Sequence, residues 1–134
     1  MDANFGDVYI VITVSVPETE KYGISLTDSN YESSLTIQKI WSFTGATRIY
    51  VNSPTGSWTY SKSPSTQSNI LGEDEYSGHA YSYGFLDIYV ISQNSGAVSN
   101  RTATFTFYDS NGDKFGELTF MHMNNKWKPT PVKD

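Results

Sequence analysis

Two histidines, three adjacent acids and a short run of tyrosines are the side chains of this chain with chemistry to offer. A hydrolytic triad would set His79 or His122 beside a hydroxyl and a carboxylate, yet no Gly-x-Ser-x-Gly elbow surrounds either imidazole. Phe120 and His122 fall on one face of an extended strand, which predicts a packed or hydrogen-bonded role for His122. Zinc needs three or four imidazole or thiolate ligands, and two distant histidines with no cysteine supply too few. Neither a catalytic residue nor a cofactor is expected. Glu73, Asp74 and Glu75 resemble the paired carboxyls of glycoside hydrolysis, but that chemistry needs one acid on each side of a bond. Between Gly72 and Gly78 they are expected to be solvated in a loop, or to face a basic patch on a partner. Asp109, Asn111 and Asp113 alternate as in a calcium loop. The glycine is two places early, however, and Phe120 stands where the bidentate glutamate belongs. A hairpin turn explains the same residues.

Tyr76, His79, Tyr81, Tyr83 and Phe85 offer a different chemistry. Flat aromatic faces stack on sugar rings, with Asp74, Gln93 and Asn94 as candidate hydroxyl partners. The competing expectation is that Tyr81, Tyr83 and Phe85 open a buried strand face, since their alternation runs into a core strand.

The elements that must position these groups are strands. Leu86, Ile88 and Val90 alternate with Asp87 and Tyr89, and Ala103, Phe105 and Phe107 alternate with threonines. Apolar side chains at every second residue face one core only in extended backbone. Further strands are expected over residues 7–16, 22–26, 35–40, 47–51, 57–61 and 115–123, with residues 62–83 irregular and no helix. Asn111-Gly112 predicts a tight primed hairpin turn, positive in φ at both central residues. The expected fold is an all-β, immunoglobulin-like antiparallel sandwich. A strand extension over residues 1–34 precedes the sandwich of 35–123, and a basic tail over 124–134 follows it.

Composition fits one small domain. Ten Tyr, seven Phe and three Trp compensate for a hydrophobic fraction of 37% by the area each ring buries. The net charge is −5, and three lysines against Asp134 in the last eleven residues leave −7 on the body. Such a body repels phosphate backbones, so nucleic acid is not an expected partner. No segment reaches membrane-spanning length, and the first residues lack the basic region of an export signal. Val8, Ile10 and Ile12 lie on a β-branched strand that something must cover, either its own sheet or a neighbouring protein. Trp127, between Lys126 and Lys128, either anchors onto a partner or docks back on its own domain.

One pattern resembles a known family. Phe43-Thr-Gly-Ala-Thr-Arg-Ile-Tyr-Val51, a turn, then Gly56-Ser-Trp-Thr-Tyr-Ser61 is similar to the opening of the BACON domain, a Bacteroidota-associated immunoglobulin-like module. Asn94-Ser-Gly-Ala-Val-Ser-Asn-Arg-Thr-Ala-Thr-Phe-Thr-Phe107 and Gly116-Glu-Leu-Thr-Phe-Met-His122 resemble its later strands. His122 stands where that family has Gln, and the second family tryptophan is missing. The resemblance implies that Trp58 is a core residue. It also implies a binding module or, since such modules occur in phages of gut Bacteroidota including crAss-like phages, a virion component. The leading expectation is a non-enzymatic structural or adhesive module that decorates a capsid, made in the host cytoplasm. It would dock on a virion protein through the Val8 strand or the Trp127 tail and touch surface glycans. The alternative is a carbohydrate-binding module of a secreted or surface glycan-utilisation protein.

Overall fold

The computed structural model describes residues 21–77, 84–94 and 100–124. They build eight strands and one helical turn: β1 (Gly23–Ser25), β2 (Ser34–Lys39), β3 (Gly45–Asn52), β4 (Trp58–Ser63), β5 (Ile70–Gly72), α1 (Glu73–Ser77), β6 (Phe85–Val90), β7 (Arg101–Asp109) and β8 (Lys114–His122). One sheet has the order β1-β3-β6-β5, the other β2-β8-β7-β4. The two pack as a β-sandwich. Ile24, Ile49, Leu86, Ile88 and Ile70 from the first sheet meet Phe105, Phe107, Leu118 and Phe120 from the second, all fully buried. Trp58 packs on Phe107 with ring centroids 5.7 Å apart and is buried with them.

The alternation expected on β6 and β7 is present residue for residue, because one face of each strand is core and the other is not. Four features differ from the sequence reading. The sandwich is not wholly antiparallel: β2 runs parallel to β8, Ser34 opposite Glu117 through Lys39 opposite His122. From β1 the chain crosses between sheets through residues 26–33, so β2 cannot form a hairpin with β1 and takes the open edge of β8 instead. Residues 62–83 are not all irregular, since β5 adds an edge to β6. A helical turn follows directly, with Glu73, Asp74 and Glu75 in its first turn, where acids complement the unsatisfied amides. The hairpin between β7 and β8 is also not a two-residue primed turn. Asp109 pairs with Asp113 across three loop residues, and only Gly112 has positive φ (83°). A type I turn closed by a left-handed glycine fits that geometry. Asp109 Oδ1 accepts the Asn111 and Asp113 amides at 2.9 and 3.0 Å, which ties the carboxylate into the hairpin turn.

Ile24 is fully buried and β1 pairs with β3, so the sandwich draws on residues before position 35. Among the described residues no helix is long and apolar enough to cross a membrane.

Candidate functional site

The outer face of the β1-β3-β6-β5 sheet collects polar and aromatic groups that sequence spacing separates widely. On β6 the core takes Leu86, Ile88 and Val90, which turns Phe85, Asp87 and Tyr89 outward. Phe85 therefore does not belong to a buried strand face as one reading expected. It is half-buried on the outer side, edge-on to Tyr50 of β3 at 6.4 Å. Register sets Arg48 opposite Asp87 and Ala46 opposite Tyr89. The Arg48 guanidinium lies 3.7 Å from the Phe85 ring centroid. It is held from the side by the Asp87 carboxylate, Nε to Oδ1 at 2.9 Å and Nη2 to Oδ2 at 3.1 Å. Two bonds and a stacked face fix its plane, more than a lone surface ion pair achieves.

Beside that pair, β5 places Leu71 against Tyr89, and α1 carries Tyr76 back over the sheet. The Tyr76 and Tyr89 rings stack at 4.9 Å with only 23° between their planes. Tyr76 remains 60% exposed. An aromatic ring held flat by a second ring, with its area turned to solvent, is a surface on which a sugar ring can lie. Burial pushes the Tyr89 hydroxyl above its ordinary pKa, and Asp87, Glu73 and Tyr76 push it further against the opposing pull of Arg48.

The helical turn is anchored from below. Lys62 points inward from edge strand β4, 4% exposed. Its ammonium donates to the Ile70 and Gln67 carbonyls at 2.9 and 3.2 Å and pairs with Glu75 at 2.8 Å. Glu75 is therefore tied to its own domain. Asp74 is not fully solvated as expected either: its Oδ1 is buried without a hydrogen-bond partner. Burial raises its pKa first, and the neighbouring Glu75 adds to the shift.

Of the residues expected to bind glycans, Tyr76 is on this face, while His79, Tyr81 and Tyr83 lie outside the described residues. Asn94 is corrected. It is fully buried, takes the Trp41 carbonyl with its amide N–H and donates Nδ2 to the His122 carbonyl at 2.9 Å, so it cannot reach a sugar. Gln93 offers its carbonyl to Arg101. His122 is fully buried on the inner face of β8, with Lys39 and Arg101 as its cross-strand neighbours. The expected docking residues Val8, Ile10, Ile12, Lys126, Trp127 and Lys128 lie outside the described residues. Among those described, no cluster of three metal-ligating side chains forms. Sequence reading missed Tyr89 and the Arg48–Asp87 pair. Their signal was the β6 alternation itself, which assigns Asp87 and Tyr89 to the face away from the core.

No protein-family model matches this chain, and no curated protein matches it. Among solved structures it is similar to part of a Bacteroides ovatus GH5 xyloglucanase in complex with an XXXG heptasaccharide. The identity is 17% and the TM-score 0.45, over 74% of this chain and 18% of that one. It is also similar to a protein from Bacteroides thetaiotaomicron with an NMR structure, at 13% identity and a TM-score of 0.41, over 86% of this chain and 98% of that one. These are likenesses of fold alone.

Proposed function

We propose that the chain is a non-catalytic immunoglobulin-like recognition module, of the BACON kind its sequence resembles, that binds glycans through the Tyr76–Tyr89 platform. The immunoglobulin-like part is supported by strand layout. The orders β1-β3-β6-β5 and β8-β7-β4 follow the ABED and GFC sheets of such domains, with Trp58 on the strand that carries their core tryptophan. The non-catalytic part is supported by the lack of a Gly-x-Ser-x-Gly elbow in the sequence, by the burial of His122, and by carboxylates already engaged among the described residues, Glu75 by Lys62, Asp87 by Arg48 and Asp109 by hairpin amides.

The observation that carries the glycan reading is Tyr76, 60% exposed and held flat on Tyr89. Preorganisation matters because ordering a free side chain on binding costs about 0.5–1.5 kcal/mol. The capsid-decoration role expected from the sequence draws on the terminal segments, and the described residues add no support to it.

Glycan-array binding of the whole chain tests the proposal. Binding is expected, with Tyr76→Ala weakening it at least about tenfold, equivalent to about 1.4 kcal/mol. Tyr89→Ala should weaken it comparably by releasing Tyr76. An unaltered thermal midpoint in Tyr76→Ala would show that the loss is local. A parent protein that binds no glycan, or a Tyr76→Ala variant that binds as well as the parent, removes the proposal.

A further inference from the structure

We infer that strand β2 is an interface between two copies of this chain, paired antiparallel with itself across a two-fold axis. The edges of the two sheets differ in how they are guarded. Beside β1, the Ile24 amide and carbonyl exchange hydrogen bonds with Glu32 at 2.8 and 2.9 Å. Beside β5, the Ile70 carbonyl takes the Lys62 ammonium, and α1 follows at once. Edge strand β4 turns the charged Lys62 inward, a device that discourages pairing with another chain. Strand β2 has no such guard. The Ser33 and Lys39 carbonyls accept from the Glu117 and Met123 amides, on and just past β8, at 3.0 and 2.9 Å. Backbone groups alternate sides along a strand, so Ser34, Thr36 and Gln38 turn their N–H and C=O away from β8. Above and below this stretch the outward groups are in use, Glu32 by Ile24 and the Ile40 carbonyl by the Phe43 amide. Between them, no hydrogen bond among the described residues reaches the edge. Residues 34–38 carry neither charge nor proline.

What fits this edge is the edge itself. Centred on Thr36, an antiparallel pair sets Ser34 opposite Gln38 of the partner subunit, and Thr36 opposite Thr36 of the partner subunit. All of these face outward, so each pair exchanges two hydrogen bonds. Sliding the strands by two residues brings in Glu32 or Ile40, whose carbonyls are already bonded. A slide of one residue would set outward groups against inward ones. The side chains match in the same register. Half-buried Leu35 meets Ile37 on the core side, while the exposed Ser34, Thr36 and Gln38 pair through hydroxyls and amides on the other. Lys39 falls opposite a serine, so no like charges meet. The pairing joins two four-stranded sheets into one and uses both copies of the edge, which closes the assembly at a dimer.

Sedimentation of the whole chain up to about 1 mM, with amide exchange followed residue by residue, tests the inference. A reversible dimer is expected, with the Thr36 and Gln38 amides slow to exchange when concentrated and faster on dilution. Thr36→Lys sets two ammonium groups against each other on the two-fold axis and should weaken the dimer at least about tenfold. Thr36→Pro removes an outward N–H that the β8 ladder does not use, and should weaken it likewise. Both variants should keep the circular dichroism spectrum of the parent. A parent that stays monomeric throughout that range would overturn the inference. So would a dimer equally tight in both variants, since another surface would then hold it. Slow exchange at Thr36 and Gln38 in a dilute monomer would overturn it too, by showing that the chain's own residues cover the edge.

Discussion

Tyr60 shows how a single atom is set against the rest of its side chain. Its ring packs 5.8 Å from Phe105 and 6.3 Å from Phe107, while its hydroxyl is buried with no hydrogen-bond partner. That hydroxyl presses on Gly72 of β5, where an added Cβ would collide with it. A buried donor left unsatisfied costs about 1–3 kcal/mol, and removing it restores most of that cost. Tyr60→Phe should therefore stabilise the fold by about 1 kcal/mol, read from the urea midpoint at constant m-value. Gly72→Ala should destabilise it by about 1–3 kcal/mol through overpacking. The double variant should lose less than the sum of the two, because the offending oxygen is gone.

At the scale of elements, Lys62 joins the sandwich across its open side. Its strand, β4, is the edge of one sheet, and the carbonyls it holds lead into β5, the edge of the other. An inward-pointing charge on an edge strand also discourages pairing with another chain. Lys62→Met would take the ammonium from the Ile70 carbonyl, reduce the Gln67 carbonyl to its bond from the Ile70 amide and deprive Glu75 of its counter-ion, at a cost of about 2–3 kcal/mol. Glu75→Gln should cost less than that, about 0.5–1 kcal/mol, since the ammonium keeps the Gln67 and Ile70 carbonyls and the amide oxygen can still accept from it. Chemical denaturation of both variants checks the ranking, and faster proteolytic cleavage within residues 64–70 in Lys62→Met locates the damage. The same elements mark where the sequence was legible. Strands β6 and β7 were readable because alternation over six to nine residues has no competing explanation. The three-residue β5 and the single turn α1 are too short to carry a period, so the anchor for Tyr76 could not be foreseen. Tyr76 itself was singled out, but its stacking on Tyr89 depends on the register of β5 against β6, which is a tertiary fact. The parallel pairing of β2 escaped notice for the same reason, as its partner β8 lies some eighty residues away.

For the whole molecule, the buried titratable groups set the range of pH over which the fold is most stable. His122 ends the inner face of β8 fully buried, and neither ring nitrogen has a hydrogen-bond partner of good geometry. Burial lowers its pKa, and Arg101 lowers it further, against the opposite influence of the main chain at Ile40, Trp41 and Phe43. Lys39 flanks it on the other side. The folded state thus binds a proton at His122 less readily than the unfolded chain does. Stability is complete above about pH 6.5, the unfolded value. It falls as the pH drops through the folded value. Tyr31 acts at the other end. Burial and its 2.6 Å hydrogen bond to Asp28 push its pKa up to about 12. The folded state keeps that proton longer than the unfolded chain, so stability falls as pH rises from about 10 towards 12. Asp74 runs counter to His122. Its raised pKa favours the protonated carboxyl in the fold, which adds stability only as the pH falls into the carboxylate range. Unfolding measured from pH 4 to 11 should therefore give a plateau between neutral and mildly alkaline pH, with a decline on each side. Replacing the imidazole by an uncharged ring in His122→Phe will shift the overall stability by its own packing cost. The informative quantity is the slope between about pH 5 and 6.5, which should flatten in that variant while the alkaline decline stays as it was. An acid slope identical in the parent and in His122→Phe would show that protons enter elsewhere, and that the end of the sandwich around Asn94 and Arg101 tolerates a third cation.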